Sequence, residues 1–270
     1  MSNPSIAILG GGNIGIAIAN GLVAAGSQPG SIYITRRNPD MITDIDREAV
    51  CVTNDNVKAV TDCQVIILAV RPLQIPSLID QIRDHLEPKR HILLSVASGV
   101  SIEDTLELVQ KDLPVVRVMP NTAIAVRESM TCLAARTKDA KSLEVATQIF
   151  QHVGETIIIE EELFTPATAL CACGTAFFLR AIRAASQGGI QIGFHSEEAL
   201  KMAAQTAKGA ACLVLESGNH PEREIDKVTT PRGCTIAGLN QMEHEGFSSA
   251  LIKGFVTSSD IAGSLYSGEE

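Results

Sequence analysis

Tryptophan is absent, and aromatic residues of any kind make up only 3% of the chain. Without rings to stack on, there is no platform for the bases of single-stranded nucleic acid, and the core must be built from Ile, Leu, Val and Ala. Positive charge is also short. Against 31 Asp and Glu stand 22 Lys and Arg, a formal net charge of −9, which argues against gripping a phosphate backbone but leaves room for a local basic pocket. The apolar run from Ile6 to Leu9 stops at three glycines, and no run approaches the roughly 18 residues of a membrane span. The start also lacks the basic, apolar and small-residue pattern of a secretory signal. Seven cysteines, an odd count at irregular spacing, fit reduced thiols in the cytoplasm. No metal site is expected: the six histidines are scattered, and Cys171 and Cys173, one residue apart on a helical segment, point apart and read as small buried hydrophobes. Nor is there a Ser-His-Asp set. His220 and His195 stand just before helix starts, where a cap or structural role outweighs catalysis.

With 270 residues, 45% of them apolar and 20% charged, the chain is long enough for one large domain or two modest ones. It begins as strand, glycine turn, helix: Ile6 to Leu9, then Gly10-Gly11-Gly12-Asn13-Ile14-Gly15, then a small-residue helix through Val23. Gly10, Gly12 and Gly15 match the dinucleotide fingerprint, in which the first makes the tight turn, the second admits the pyrophosphate and the third packs helix on strand. A second strand, residues 31–35, ends at Arg36-Arg37, where the fingerprint rule expects an acidic residue for the ribose of NAD. Guanidinium groups there suit a 2′-phosphate and favour NADP, with NAD at lower preference; two exposed basic loop residues are the alternative.

Further strands are expected at residues 50–52, 65–70, 92–96, 115–119, 132–135 and 156–159, with helical periodicity at 73–86, 102–113 and 138–153. Such alternation predicts an α/β fold, a mainly parallel sheet with helices on both faces. Its ligand belongs beyond the strand C-termini, where Ala69-Val70-Arg71-Pro72, Ser98-Gly99 and Met119-Pro120-Asn121-Thr122 all fall. Strand signals cease after Glu160-Glu161-Glu162, so the boundary is set at residue 162: residues 1–162 form a Rossmann-type dinucleotide-binding domain and 163–270 an all-helical one. The Ala-rich helices of the second domain leave broad apolar faces. The closing residues 267–270 are expected to fray.

One stretch of the helical half carries more than periodicity. In Val228 to Met242, VTTPRGCTIAGLNQM, Pro231 biases Thr230 toward an extended conformation, Gly233 permits close backbone approach, and Thr235 opens a segment with Ile236, Leu239 and Met242 at helical spacing. Unpaired N–H groups at such a junction suit a small carboxylate or phosphate, and the Thr235 hydroxyl could touch a second polar atom. An ordinary N-cap is the competing reading.

This stretch, with His220-Pro221 before it and residues 243–247 after it, resembles the signature of the pyrroline-5-carboxylate reductases. RVMPNT at 117–122, AVRP at 69–72 and the glycine turn extend the resemblance over essentially the whole chain. It departs twice: Arg232 stands where the family usually has Gly, and Ala172-Cys173-Gly174-Thr175-Ala176 where it usually has Gly-Ser-Gly-Pro-Ala. The resemblance implies reduction of Δ1-pyrroline-5-carboxylate to proline with NADPH, helices that interlock with a second subunit as a homodimer or larger, and a cofactor cleft lined by Gly10, Gly12, Asn13, Ile14, Gly15, Arg36, Arg37, Ala69, Val70, Pro72, Met119 and Asn121. On the substrate side it implies backbone donors around Gly233, Cys234 and Thr235, with Thr230 shaping the pocket and the Thr235 hydroxyl at the ring nitrogen. Two alternatives stand beside it: another imine or carbonyl reductase of the same plan, and a non-catalytic NADP-binding dimer. The β-hydroxyacid dehydrogenases share the architecture but use a helical lysine, and no lysine lies between Pro166 and Gln187.

Overall fold

A computed structural model describes residues 4–267; residues 268–270 of the segment expected to fray lie outside them. The described chain packs as two compact units, residues 4–172 together with 262–267, and residues 173–261.

The first unit is built on an eight-stranded sheet in the order β3-β2-β1-β4-β5-β6-β7-β8, comprising β1 (Ile6–Leu9), β2 (Ile32–Thr35), β3 (Val50–Thr53), β4 (Val65–Leu68), β5 (Ile92–Ser95), β6 (Val115–Met119), β7 (Ser129–Ala135) and β8 (Gly154–Ile158). The first six pair in parallel, the doubly wound order whose direction reverses between β1 and β4. β7 runs antiparallel to β6, because the loop of residues 120–128 is too short to cross over. It begins three residues before its expected start at Cys132.

Side chains of alternate residues go to opposite faces. Ile6, Ile8, Ile32, Ile34, Val65 and Ile67 share one buried cluster with α1 (Asn13–Ala24) and α5 (Ala140–Gln151). Ala7, Leu9, Ile66 and Leu68 share the other with α2 (Asn56–Asp62), α3 (Ile75–Ile82) and α4 (Ile102–Val109). With both faces covered, the central strands read as continuous apolar runs. The helical patterns at 73–86, 102–113 and 138–153 are longer than these helices because 3₁₀ turns or caps trim them; Ser101 and Asp104 close a reciprocal capping box at the start of α4, and Gln110 ends it in the left-handed conformation at φ 56°. Helix α2 was not expected. Its seven residues are too few for periodicity to stand out, although the Asp55 side chain caps it by accepting from Lys58 N at 2.9 Å.

Packing carries the first unit beyond the change of character at residue 162. The guanidinium of Arg117, on β6, pairs with Glu161 at 3.1 Å and lies 4.5 Å over the ring of Phe164. Phe164 is itself buried with Met119, Cys132 and Ala134. It begins α6 (Phe164–Ala167), which widens into a π-helical turn over Thr168–Cys173. Within the helical stretch Glu161–Gln191 one window of 18 residues reaches a mean hydropathy of 1.4, long and apolar enough by length and composition alone to cross a membrane. Thr165, Pro166, Thr168, Thr175 and Arg180 interrupt it, so no continuous apolar run of about 18 residues is present.

The second unit holds α7 (Gly174–Gln191), α8 (Ser196–Ser217), α9 (Pro221–Val228), α10 (Cys234–His244) and most of α11 (Phe247–Ser267). Phe177 and Phe255 meet edge-on within it, ring centres 5.0 Å apart. Among its described residues Ala199 is the one buried hydrophobic side chain, whereas Phe178, Leu179, Ile192, Leu215 and Ile252 are each more than half exposed.

Candidate functional site

The glycine turn between β1 and α1 is shaped by contacts that leave no room for side chains. A Cβ on Gly10, which sits at φ 130°, would lie 2.3 Å from the carbonyl oxygen of Ala69, and one on Gly15 would lie 2.0 Å from that of Gly10. The Thr35 carbonyl at the end of β2 accepts from both Gly10 N (3.2 Å) and Gly11 N (2.7 Å). At Gly12 the situation reverses. It is the N-cap of α1, it makes no side-chain cap hydrogen bond, and a Cβ there would meet nothing within 4 Å. The first-turn donors of α1, at Asn13 and Ile14, thus stand at the positive end of a helix beside open space, which fits the pyrophosphate of a dinucleotide.

Arg36 and Arg37 differ in a way their adjacency in sequence conceals. The Nη1 of Arg36 donates to the carbonyls of Gly11 (2.9 Å) and Met41 (3.2 Å), so its charge is anchored across the glycine turn. Arg37 is exposed. Along the C-terminal edge of the sheet Ala69 is pressed against Gly10, and Pro72 begins a short 3₁₀ turn next to Leu73, which is 96% exposed.

Met119 and Asn121 are held rather than free. Met119 is buried and its sulfur accepts from Thr168 Oγ1 at 3.0 Å. Asn121 accepts from Ala123 N at 3.0 Å and donates through Nδ2 to the Cys171 carbonyl at 3.1 Å. Both therefore brace the segment through residues 168–173.

In the second unit, Gly233 N donates to the Thr230 carbonyl at 2.9 Å, closing a turn. Pro231 fits its first central position, and the second demands positive φ; Arg232 occupies it at φ 61°. The usual Gly of the family therefore has a physical reason here. Gly233 is itself confined, since a Cβ would lie 2.5 Å from Thr230 Oγ1. It is Gly233, not Thr235, that caps α10, and no side chain supplies a cap bond. Thr235 is the second residue of the helix, partly buried, which removes the reading of it as an N-cap. The N–H groups of Cys234 and Thr235 lie in the first turn, where no intrahelical acceptor exists. His220 is a cap, accepting from Glu222 N through Nδ1 at 3.3 Å. Among the described residues no group of three or more His, Cys, Asp and Glu is placed to hold a metal ion.

A family model described as pyrroline-5-carboxylate reductase dimerisation matches residues 161–265, and one described as NADP oxidoreductase coenzyme F420-dependent matches residues 5–99. Pyrroline-5-carboxylate reductase 1 of Dictyostelium discoideum is 56% identical over 97% of the chain, which spans 50% of that relative's length. Pyrroline-5-carboxylate reductase 2 of the same organism is 48% identical, with 96% of this chain and 92% of the relative covered. Among solved structures, a pyrroline-5-carboxylate reductase from Coxiella burnetii superposes with a TM-score of 0.90 at 29% identity, covering 97% of this chain and 98% of the other.

The two residues of the 230–233 turn should respond oppositely to exchange. Arg232→Gly relieves a left-handed residue that costs about 1–2 kcal/mol and gives back about 0.4–1 kcal/mol in unfolded-chain entropy. It should leave stability level or slightly raised. Gly233→Ala should lower it. Melting curves at one protein concentration check both, and a drop for Arg232→Gly would contradict the account of the turn.

Proposed function

Because the chain belongs to the pyrroline-5-carboxylate reductase family, we propose that it reduces the cyclic imine Δ1-pyrroline-5-carboxylate to L-proline with NADPH, the last step of proline biosynthesis. Residues 1–162 bind the dinucleotide; residues 163–270 bind the substrate and dimerise. The observation that carries the substrate half of this reading is the turn at Thr230 to Gly233, which delivers the N-terminus of α10 with no side chain in the capping position.

When bound, NADPH supplies the hydride. A protonated imine accepts hydride at carbon without further activation, so the protein's work is holding and aiming. The open N-terminus of α1 at Gly12, Asn13 and Ile14 holds the pyrophosphate, Arg37 with the anchored Arg36 holds the 2′-phosphate, and Ala69, Val70, Pro72, Met119 and Asn121 form the rim. Backbone donors of Gly233, Cys234 and Thr235 hold the substrate carboxylate, favoured by the helix dipole. Thr230 shapes the pocket by limiting the space beside Gly233. The Thr235 hydroxyl orients the ring nitrogen.

The second unit points to assembly. A helical unit whose described residues bury one apolar side chain, Ala199, lacks a core of its own, and the dimerisation family model spans it. A homo-oligomer follows, and we read it as a dimer or larger. We read the compartment as the cytoplasm from the odd, irregularly spaced set of seven cysteines.

Three measurements test this reading. Sedimentation of the intact chain at micromolar concentration should give a dimer or larger, and a folded monomer would overturn the assembly. Arg37→Ser should weaken NADPH binding by roughly tenfold or more, the loss of one charged hydrogen-bonded contact, with little change for NADH. Arg36→Ser should weaken both cofactors, because it also releases the Gly11 and Met41 carbonyls; equal losses for both cofactors in Arg37→Ser would remove the 2′-phosphate assignment. In steady-state assays of NADPH oxidation with pyrroline-5-carboxylate, Thr235→Ala should lose roughly tenfold to a hundredfold in turnover with NADPH affinity intact. Thr235→Ser should keep much of it. Wild-type turnover in the alanine variant would remove Thr235 from the chemistry, and no turnover by the wild-type chain would sink the activity.

A further inference from the structure

Two thiols from separate elements meet beside the segment that Asn121 braces. Cys132 lies within β7 and is 2% exposed. Cys171 lies in the π-helical turn Thr168–Cys173 and is partly exposed. Their sulfurs are 3.9 Å apart, at hydrogen-bond distance for sulfur, with Met119, Ala134, Phe164 and Ala167 in the same apolar cluster. A disulfide requires about 2.05 Å between sulfurs, so closure asks for a movement of about 2 Å. Wide turns are the irregular parts of a helix, and Cys171 sits in one. The same turn is tied to the proposed nicotinamide rim: the Cys171 carbonyl accepts from Asn121 Nδ2 at 3.1 Å, and Thr168 Oγ1 donates to the Met119 sulfur at 3.0 Å.

We propose that Cys132 and Cys171 are a peroxide-sensitive pair that closes to a reversible disulfide and, by displacing the 168–173 turn, loosens the grip on the cofactor. The second half rests on the reading of Met119 and Asn121 as cofactor rim. The chemistry is asymmetric. Cys171 is the partly exposed sulfur of the two, the one peroxide can reach, and the hydrogen bond between the sulfurs pushes its thiol down while the same bond together with burial pushes that of Cys132 up, so Cys171 is the sulfur with thiolate character. Its thiolate attacks hydrogen peroxide; the O–O bond breaks, leaving a sulfenic acid on Cys171, and the departing hydroxide becomes water on taking a proton. The Cys132 sulfur then attacks the Cys171 sulfur. The S–S bond forms as the S–O bond breaks, and hydroxide leaves as water with the Cys132 proton. In sum two thiols lose two electrons and two protons, and one peroxide becomes two waters.

The test is to treat the intact protein with near-stoichiometric hydrogen peroxide, block remaining thiols with N-ethylmaleimide and map peptides by mass spectrometry. A peptide joining Cys132 to Cys171, reversed by dithiothreitol, is expected. Cys132→Ser should stop at a Cys171 sulfenic acid that dimedone traps, and Cys171→Ser should leave Cys132 unoxidised. NADPH affinity, followed by nucleotide fluorescence, should fall several-fold on closure in the wild type and stay constant under peroxide in the double serine variant. No Cys132–Cys171 peptide, or closure through another cysteine instead, overturns the pair; closure with unchanged NADPH affinity overturns its effect on the cofactor. Neither readout requires turnover, so failure of the imine assay would count against the activity alone.

Discussion

Where a Cβ on Gly10 would meet the Ala69 carbonyl and one on Gly15 would meet that of Gly10, backbone has come as close to backbone as it can. That approach sets the first unit. It seats α1 against the sheet, aligns the end of β1 with the end of β4, and brings the start of α1 out at the point where the strand order reverses. A side chain at either position would push the helix from its strand and close the open space at Gly12. The arrangement is a case of backbone geometry, more than side-chain chemistry, defining where a ligand can go.

Much of this was legible because it is local. Three glycines at fingerprint spacing after a four-residue apolar run are written in adjacent positions, and the parallel sheet follows from the alternation of buried runs with amphipathic segments. What escaped depends on partners far along the chain. Arg36 and Arg37 look equivalent in sequence, yet the former is committed to the Gly11 and Met41 carbonyls, a difference that exists only once the turn has folded. In sequence Met119 and Asn121 show only as rim, whereas their bonds to Thr168 and Cys171 cross about fifty residues.

The 230–235 junction was partly legible for a subtler reason. Pro231 and Gly233 mark a turn before a helix, but threonine is a common capping residue, so the sequence alone leaves an N-cap at Thr235 as a competing reading. The turn closes at Gly233, so the helix starts there and Thr235 falls inside it. Its hydroxyl is then released from the duty of capping. Arg232 is the residue of the stretch whose conformation runs against its type, and the left-handed backbone explains why a glycine would sit there more easily.

A helical unit that buries little more than Ala199 within itself has a stability that cannot be quoted without a concentration. Dilution would act on it as a denaturant does, since each folded copy must find its apolar cover in another. The melting temperature of such a protein climbs with the logarithm of its abundance. A cell making few copies would hold a measurably less durable form of the same sequence than a cell making many.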